Sequence, residues 1–102
     1  MKTFFTILIS LYLSVGNATV KTDALAPTFS LMSSYGETVS LSNFLGKTVI
    51  LEWTNHDCPF VAKHYKTGNM QETQEFVREE GAVWLTIISS APGTQGYVLS
   101  EK

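Results

Sequence analysis

Residues 48–64 read TVILEWTNHDCPFVAKH and place a strand, a polar turn and a helix in direct succession. The apolar, largely β-branched run over residues 48–51 is continuous rather than alternating, which predicts a strand buried on both faces and ending at Trp53. The turn then leads to Pro59, whose fixed φ and missing N–H suit the first position of a helix. Cys58, the only cysteine of the chain, is therefore predicted to lie at a helix N-terminus.

The predicted position of Cys58 has a chemical consequence. The unpaired N–H groups and the positive end of the helix dipole favour a thiolate over a thiol, and the thiolate is the nucleophilic form. Asp57 opposes this effect, because it places a negative charge beside the sulfur. We expect the Asp57 carboxylate to turn away and cap the helix. The alternative for Cys58 is a buried, inert thiol that packs as a small hydrophobic residue.

The amino terminus has the pattern of an export signal. Residues 1–18 combine a positive start at Lys2 with an apolar run and the small-residue sequence Gly-Asn-Ala. A membrane anchor is the alternative, but the apolar run is well short of the ~20 residues that a spanning helix needs. We therefore predict a signal peptide over 1–18 that is cleaved, a leader over 19–26, and a periplasmic or secreted protein without a stable membrane anchor.

The composition of the chain, which has 102 residues in all, restricts it to one small domain. Without Lys2 it carries six basic and nine acidic residues, hence a net charge of −3. No basic patch remains, so neither nucleic-acid binding nor binding to an anionic membrane is expected. Small exported domains normally contain disulfides, but one cysteine cannot form an internal bridge. Cys58 is therefore an inert thiol, an intermolecular partner or a reactive group.

The sequence on either side of this strand and helix predicts the other elements. Alternation over residues 28–33 and a short return strand at 38–40 predict a hairpin, followed by a brief helical turn. After Cys58, the pattern predicts a helix that is broken at 67–69 and a second helix over 70–80. The buried face of this second helix is predicted to carry Met70, Thr73, Phe76 and Val77. An interior strand over 82–88, a loop over 89–96 and a further helix from Tyr97 should follow.

The strand–helix–strand order implies a right-handed parallel crossover. The loop over 89–96 and the turn from Asn55 to Cys58 should then face one crevice, because both follow the carboxyl ends of neighbouring strands. This crevice is the predicted functional site.

Several short segments of the chain resemble a known family. Ala26-Pro27, Gly46-Lys47 and the apolar strand ending in Trp53 look like the opening of redoxins, the thioredoxin-like branch that includes peroxiredoxins and thiol-disulfide exchange proteins. Residues 53–61 and 89–93 most resemble exported thioredoxin-domain proteins related to the alkyl hydroperoxide reductase and thiol-specific antioxidant family.

The resemblance implies an α/β, thioredoxin-like fold over residues 27–102, consisting of an amino-terminal hairpin plus a βαβ unit. Members of this family continue with a further helix, two strands, a loop with a cis-proline and a closing helix. Pro92 comes too early to be that proline. We therefore expect a truncated or incomplete domain, or a degenerate member whose sheet is exposed.

Around the cysteine the chain departs from the pattern of the family that it resembles. If Cys58 matches the second cysteine of a Cys-x-x-Cys motif, Asn55 stands at the first position and a dithiol cycle within the chain is impossible. Cys58-Pro59 also matches the attacking cysteine of peroxiredoxins, but their Thr or Ser three residues earlier is Asn55 here, and Thr54 is one position too early. Arg78 falls on a solvated helix face and does not match their later arginine.

Four residues are the candidate catalytic set: Cys58, Asn55, Thr54 and His56. His56 is either a polar turn residue or a base that helps to deprotonate Cys58. His64 does not share a helix face with Cys58, so packing or solvent exposure is expected for it. Trp53 is expected in the core or on the floor of the crevice.

Metal-ligand types also occur together, since His56, Asp57, Cys58 and His64 lie within nine residues. At most two of them could converge, whereas a structural zinc needs four ligands and a catalytic zinc three. We therefore expect neither a metal nor another cofactor.

Two functional classes follow. In the first, the protein is an exported thiol oxidoreductase with an antioxidant role, in which Cys58 attacks a peroxide or a disulfide and an external thiol or a disulfide-bearing protein is the partner. In the second, it is a thioredoxin-like binding or structural module that keeps the scaffold without the chemistry. The reactivity of Cys58 towards iodoacetamide and peroxide distinguishes them.

Overall fold

The structure, a computed structural model, describes residues 19–99. In this range the chain is a small mixed α/β protein with two two-stranded sheets and two α-helices. The predicted signal peptide lies outside the described residues, and the leader over 19–26 is exposed and contains neither helix nor strand. Within the described range no helix has the length and apolar character needed to cross a membrane.

The first sheet is the predicted hairpin. β1 (Ser30–Met32) pairs antiparallel with β2 (Thr38–Ser40). The turn between them contains Gly36 at φ +80°, a left-handed conformation that glycine adopts without steric cost. The predicted helical turn follows as a 3-10 helix over Leu41–Phe44, in which Oδ1 of Asn43 accepts the backbone N–H of the N-cap residue Ser40 at 2.8 Å.

The second sheet belongs to a strand–helix–helix–strand unit. Its elements are, in chain order, β3 (Val49–Trp53), α1 (Pro59–Lys66), α2 (Asn69–Glu79) and β4 (Val83–Ile87). β3 and β4 pair in parallel, with Leu51 opposite Leu85, as the apolar runs predicted. The helix break predicted at 67–69 is also confirmed, because α1 ends before Gly68 and α2 begins after it.

The prediction that β3 is buried on both faces is wrong. Its residues are half-buried, Trp53 is 63% exposed, and no hydrophobic side chain within residues 19–99 is fully buried. Side chains of α1 and α2 contact the face that carries Glu52, and strand alternation places Trp53 on the opposite face. β4 is not an interior strand in the described range either, since β3 is its only neighbour there.

The inward face of α2 also differs from the prediction. Phe76 is 63% exposed and Thr73 is exposed, whereas Met70, Gln74 and Val77 are half-buried. These three follow the i, i+4, i+7 spacing of one helix face. Gln74 replaces Phe76 on that face because its amide reaches polar groups on the sheet and on α1.

The described end of the chain does not form the further helix expected from Tyr97. Residues 97–99 have no regular secondary structure, and the rest of that predicted helix lies outside the described residues. The loop over 89–96 is irregular, as predicted.

Candidate functional site

Cys58 lies at the N-terminus of α1, as the sequence predicted. It is the N-cap residue, with extended backbone (φ −73°, ψ 124°), and Pro59 opens the helix. The thiol is free and half-buried, so it is neither sealed in a core nor fully exposed. The Cys58 side chain makes no capping hydrogen bond to the start of this helix, and the first turn contains no acidic residue.

The Asp57 carboxylate does not cap the helix, which corrects the sequence prediction. Its Oδ2 accepts the backbone N–H of Gly96 at 3.1 Å, and its carbonyl oxygen accepts Nε2 of Gln95 at 3.1 Å. The loop that follows β4 supplies both donors. Asp57 therefore links the segments that follow β3 and β4 instead of satisfying the helix N-terminus.

Asn55 shapes the turn that presents the cysteine. Its Oδ1 accepts the backbone N–H of Asp57 at 2.9 Å, and its carbonyl oxygen accepts the backbone N–H of Cys58 at 3.0 Å. Such an Asx turn fixes the chain direction before a helix begins. The side chain of Asn55 also packs directly against Gly96, so the turn and the loop after β4 are in contact.

These contacts confirm that the turn with the cysteine and the loop after β4 lie next to each other, as the sequence predicted. The turn over residues 55–58 follows β3 and the loop over 89–96 follows β4, and the two meet at the carboxyl ends of the parallel strands. Because a parallel sheet aligns these ends, residues far apart in sequence converge there.

His56 is directed towards Asp57. Its Nε2 lies 3.4 Å from Oδ1 of Asp57, and about half of each side chain is exposed. An exposed pair of this kind contributes at most ~1 kcal/mol to stability. The pairing gives His56 a partner in the turn, which favours the interpretation of His56 as a polar turn residue.

Thr54 occupies a different position. Its backbone N–H donates to the carbonyl of Ile87 at 3.0 Å, while its Oγ1 is buried and has no hydrogen-bond partner among the described residues. Thr54 lines a mostly apolar cavity of about 370 Å³ between the sheet and the helices. The other lining residues are His56, Val61, Ala62, Tyr65, Gln74, Thr86 and Ile88.

The sequence analysis did not identify Glu52, which stands in the middle of β3. Its carboxylate accepts hydrogen bonds from Tyr65 Oη at 2.8 Å, Trp84 Nε1 at 2.9 Å and Thr86 Oγ1 at 3.2 Å. Nε2 of Gln74 lies 3.5 Å from the same carboxylate and 3.1 Å from Tyr65 Oη. We call these five residues the Glu52 cluster. The feature of the sequence that could have identified Glu52 is the presence of an acidic residue within an otherwise apolar strand.

The Glu52 cluster changes the acidity of its tyrosine. Burial raises the pKa of Tyr65 above its usual value of 10.0, and the hydrogen bond to Glu52 and the negative charge of Glu52 raise it further. The hydrogen bond with Gln74 acts in the opposite direction. Tyr65 therefore stays neutral and remains a donor to the carboxylate at physiological pH.

The other residues considered in the sequence lie apart from the crevice or are exposed. Trp53 is not in the core, because it projects from the sheet face opposite Glu52 and is 63% exposed. His64 is exposed, with its Nδ1 3.2 Å from Nδ2 of Asn69, and Arg78 is exposed on α2. Within residues 19–99 no three side chains of the His, Cys, Asp and Glu types are grouped so that they could hold a metal ion.

Comparison with known proteins adds no relative. The chain matches no protein-family model, and neither a curated protein nor a solved structure is significantly similar to it.

The chemistry available at this site is that of one sulfur at the start of a helix. Cys58 has helix N–H groups close by in the chain and a turn that is fixed by hydrogen bonds from two directions. A helix N-terminus stabilises a negative charge on a group placed there. The site contains no second thiol, since the chain has one cysteine.

Proposed function

We propose that the protein is an exported, thiol-dependent oxidoreductase of the redoxin type, in which Cys58 is the nucleophile. The observation that carries the proposal is the position of Cys58, a half-buried free thiol on the N-cap residue of α1. Reactive cysteines of other proteins are found at helix N-termini and are partly accessible to solvent.

The element order supports a thioredoxin-like fold as part of the same proposal. A hairpin precedes a strand that ends at the cysteine turn, and the helices that follow lead to a second, parallel strand. This is the order that the resemblance to redoxins implies. The crevice at the carboxyl ends of both strands is also a common place for a site in α/β proteins.

The proposed reaction with a peroxide is a two-electron transfer. The thiolate of Cys58 attacks one peroxide oxygen, the O–O bond breaks, and the sulfur is oxidised to a sulfenic acid. The other oxygen leaves as an alkoxide or hydroxide and takes a proton from solvent, so the peroxide is reduced to an alcohol or water.

An external thiol must complete the cycle because the chain has one cysteine. This thiol attacks the sulfenic acid, forms a mixed disulfide with Cys58 and releases water. A second external thiol then attacks the mixed disulfide, which returns Cys58 to its reduced form and leaves the reductant as a disulfide. With a disulfide substrate, the first step instead forms the mixed disulfide and expels the substrate's other sulfur as a thiolate.

The other candidate residues have supporting roles in this proposal. Asn55 holds the turn through its side chain and its carbonyl oxygen. His56 and Thr54 line the neighbouring cavity, and the Thr54 hydroxyl is buried without a hydrogen-bond partner among the described residues.

The test is the rate at which hydrogen peroxide oxidises Cys58 at pH 7. The full chain is treated with peroxide, the sulfenic acid is trapped with dimedone, and the adduct is quantified by mass spectrometry. We expect a rate at least ~10-fold above that of glutathione, with return of the free thiol on addition of dithiothreitol. Cys58→Ser is the control and should give no adduct.

A rate equal to that of glutathione would contradict the proposal. It would favour the second function, a binding or structural module that retains the scaffold around an unreactive thiol.

A further inference from the structure

We propose that the outward side of α1 is a docking surface for the protein that exchanges thiols or disulfides with Cys58, and that this partner presents an acidic segment to it. We call the four exposed residues Phe60, Lys63, His64 and Lys66 the α1 outer face. The inference rests on the proposed function, because it names the chemistry of the partner that this function requires.

The α1 outer face is distinct from the side of the helix that lies against the sheet. Phe60, Lys63 and Lys66 follow one another at intervals of three residues, which places them along one side of a helix. All three are exposed, and Phe60 is 80% exposed. The half-buried residues of this helix lie on the other side and are Val61, Ala62 and Tyr65.

The α1 outer face is a positively charged part of an acidic chain. The chain has a net charge of −2, yet residues 58–71 contain no aspartate or glutamate and carry two lysines. Within the described residues 19–99 neither lysine ammonium forms an ion pair, so both charges are available to a partner. An acidic segment complements these charges, whereas a basic segment is repelled.

The size of this surface favours a protein segment as its partner. Two lysines are fewer than the clusters of basic residues with which proteins bind nucleic acid or an anionic membrane. The exposed ring of Phe60 adds an apolar contact, and aromatic side chains are frequent energetic centres of protein–protein interfaces. A short segment with acidic side chains and an apolar contact for this ring therefore fits the α1 outer face.

The α1 outer face begins beside Cys58, the N-cap residue of the same helix. A helix rises about 1.5 Å per residue, so Lys63 lies ~7.5 Å and Lys66 ~12 Å from Cys58 along the helix axis. The Debye length is ~10 Å in ~0.1 M salt, so both charges act at the position of the sulfur. They attract an anionic group that approaches Cys58.

The experiment compares two aromatic disulfides of similar size and different charge. Dithiobis(nitrobenzoate) is a dianion at neutral pH, and dithiodipyridine is uncharged. With either reagent the thiolate of Cys58 attacks one sulfur, the S–S bond breaks, and the other half leaves as a thiolate that is measured by absorbance. The ratio of the two second-order rates is determined in the full chain. A change in the general reactivity of the thiol affects both rates and cancels in this ratio.

The double variant Lys63→Gln, Lys66→Gln should lower the ratio of the anionic to the neutral rate about two- to fourfold at low ionic strength, because each lysine attracts the anion through solvent. The difference should disappear in ~1 M salt, where the Debye length is ~3 Å. Lys47→Gln is the matched control and should leave the ratio unchanged. Lys47 is also exposed, but it precedes β3, whereas Cys58 follows the opposite end of that strand.

A short glutamate peptide tests the acidic segment directly. In the full chain at low ionic strength it should slow the reaction with dithiobis(nitrobenzoate) and shift the backbone amide resonances of Phe60, Lys63 and Lys66. A lysine peptide of equal length should do neither, and the double variant should not respond to the glutamate peptide. Far-ultraviolet circular dichroism confirms that each variant is folded, as expected for substitutions at exposed positions.

An unchanged ratio in the double variant, an equal decrease in Lys47→Gln, or peptide-induced shifts on another surface would overturn the inference. Binding of anionic lipid vesicles without any response to the peptide would do the same. A lysine effect that disappears when the protein is diluted would assign the surface to a second copy of the chain, whose α2 exposes Glu72, Glu75 and Glu79.

The failure of this inference is distinguishable from the failure of the proposed function. A thiol that peroxide oxidises no faster than glutathione would contradict the proposed function, although the charge ratio could still be measured. A reactive thiol whose ratio does not depend on Lys63 and Lys66 would contradict only the docking surface.

Discussion

The carboxylate of Glu52 joins four structural elements at one point. It stands on β3 and accepts hydrogen bonds from Tyr65 of α1 and from Trp84 and Thr86 of β4, with Gln74 of α2 beside it. Hydrogen bonds to a charged acceptor are stronger than neutral ones, and an unpaired buried partner is costly. Because no hydrophobic side chain in residues 19–99 is fully buried, we infer that this cluster carries an unusually large share of the packing specificity.

Glu52→Gln should destabilise the protein by about 1–3 kcal/mol. The substitution retains the size of the side chain but replaces one acceptor oxygen with an NH₂ group that faces donors. The free energy of unfolding in urea measures the effect. Glu75→Gln, an exposed position on α2, is the matched control and should change stability by less than ~0.5 kcal/mol. Equal effects at both positions would show that the cluster has no special weight.

Alkaline pH should act on the fold through Tyr65. Burial, and then Glu52, raise the pKa of Tyr65 in the folded state above its usual value of 10.0. The folded state thus favours the protonated phenol, so this contribution to stability is fully present below pH ~10 and is lost as pH rises through the folded-state pKa. Urea unfolding between neutral and alkaline pH should show the decrease.

Tyr65→Phe should remove this part of the alkaline dependence, whereas Tyr35→Phe should retain it, since Tyr35 is 84% exposed. The same alkaline loss of stability in both variants would assign the effect to another group.

At the scale of elements, the sheet of β3 and β4 has two unlike faces. One face carries Glu52, Trp84 and Thr86 and is contacted by both helices. The alternate positions of the strands place Leu51, Trp53, Leu85 and the residues in register with them on the other face. The hydrogen bonds of the Glu52 cluster, which connect both helices to the sheet, all lie on the first face.

The two tryptophans of the chain report these faces separately. Trp84→Phe leaves Trp53 as the remaining indole, and Trp53→Phe leaves Trp84. We expect Trp53 to emit at longer wavelength and to be quenched more strongly by acrylamide, because it is 63% exposed while Trp84 is half-buried and donates to Glu52. Equal quenching of the two single-tryptophan proteins would contradict the assignment of the faces.

At the scale of the molecule, local signals predicted most elements. Continuous apolar runs predicted β3 and β4, Pro59 predicted the start of α1, and the Gly68 region predicted the break between the helices. Each of these depends on backbone preference or short-range patterning, which a single sequence displays. The meeting of the cysteine turn with the loop after β4 also followed, because parallel strands align their carboxyl ends.

The predictions that were wrong depended on tertiary contacts. Asp57 was expected at the helix cap, but the N–H of Gly96 competes for its carboxylate, and that donor is distant in sequence. Phe76 was expected on the buried face of α2, but Gln74 lies on that face instead, with its amide beside the carboxylate of Glu52. Trp53 was expected in the core or on the floor of the crevice, but strand alternation places it away from the helices, where it is 63% exposed. A sequence pattern does not state which partner a polar side chain will find.

The bond from Gly96 to Asp57 spans 39 residues, and this separation has a consequence for biosynthesis. Contacts between distant segments carry a loop-closure cost and tend to form late in folding. Cys58 is therefore synthesised before the loop that contacts its turn. The hydrogen bond between Gly96 and Asp57 can form only after β4 has been synthesised and has paired with β3. Whatever reactivity the thiol acquires is thus deferred until translation has passed residue 96.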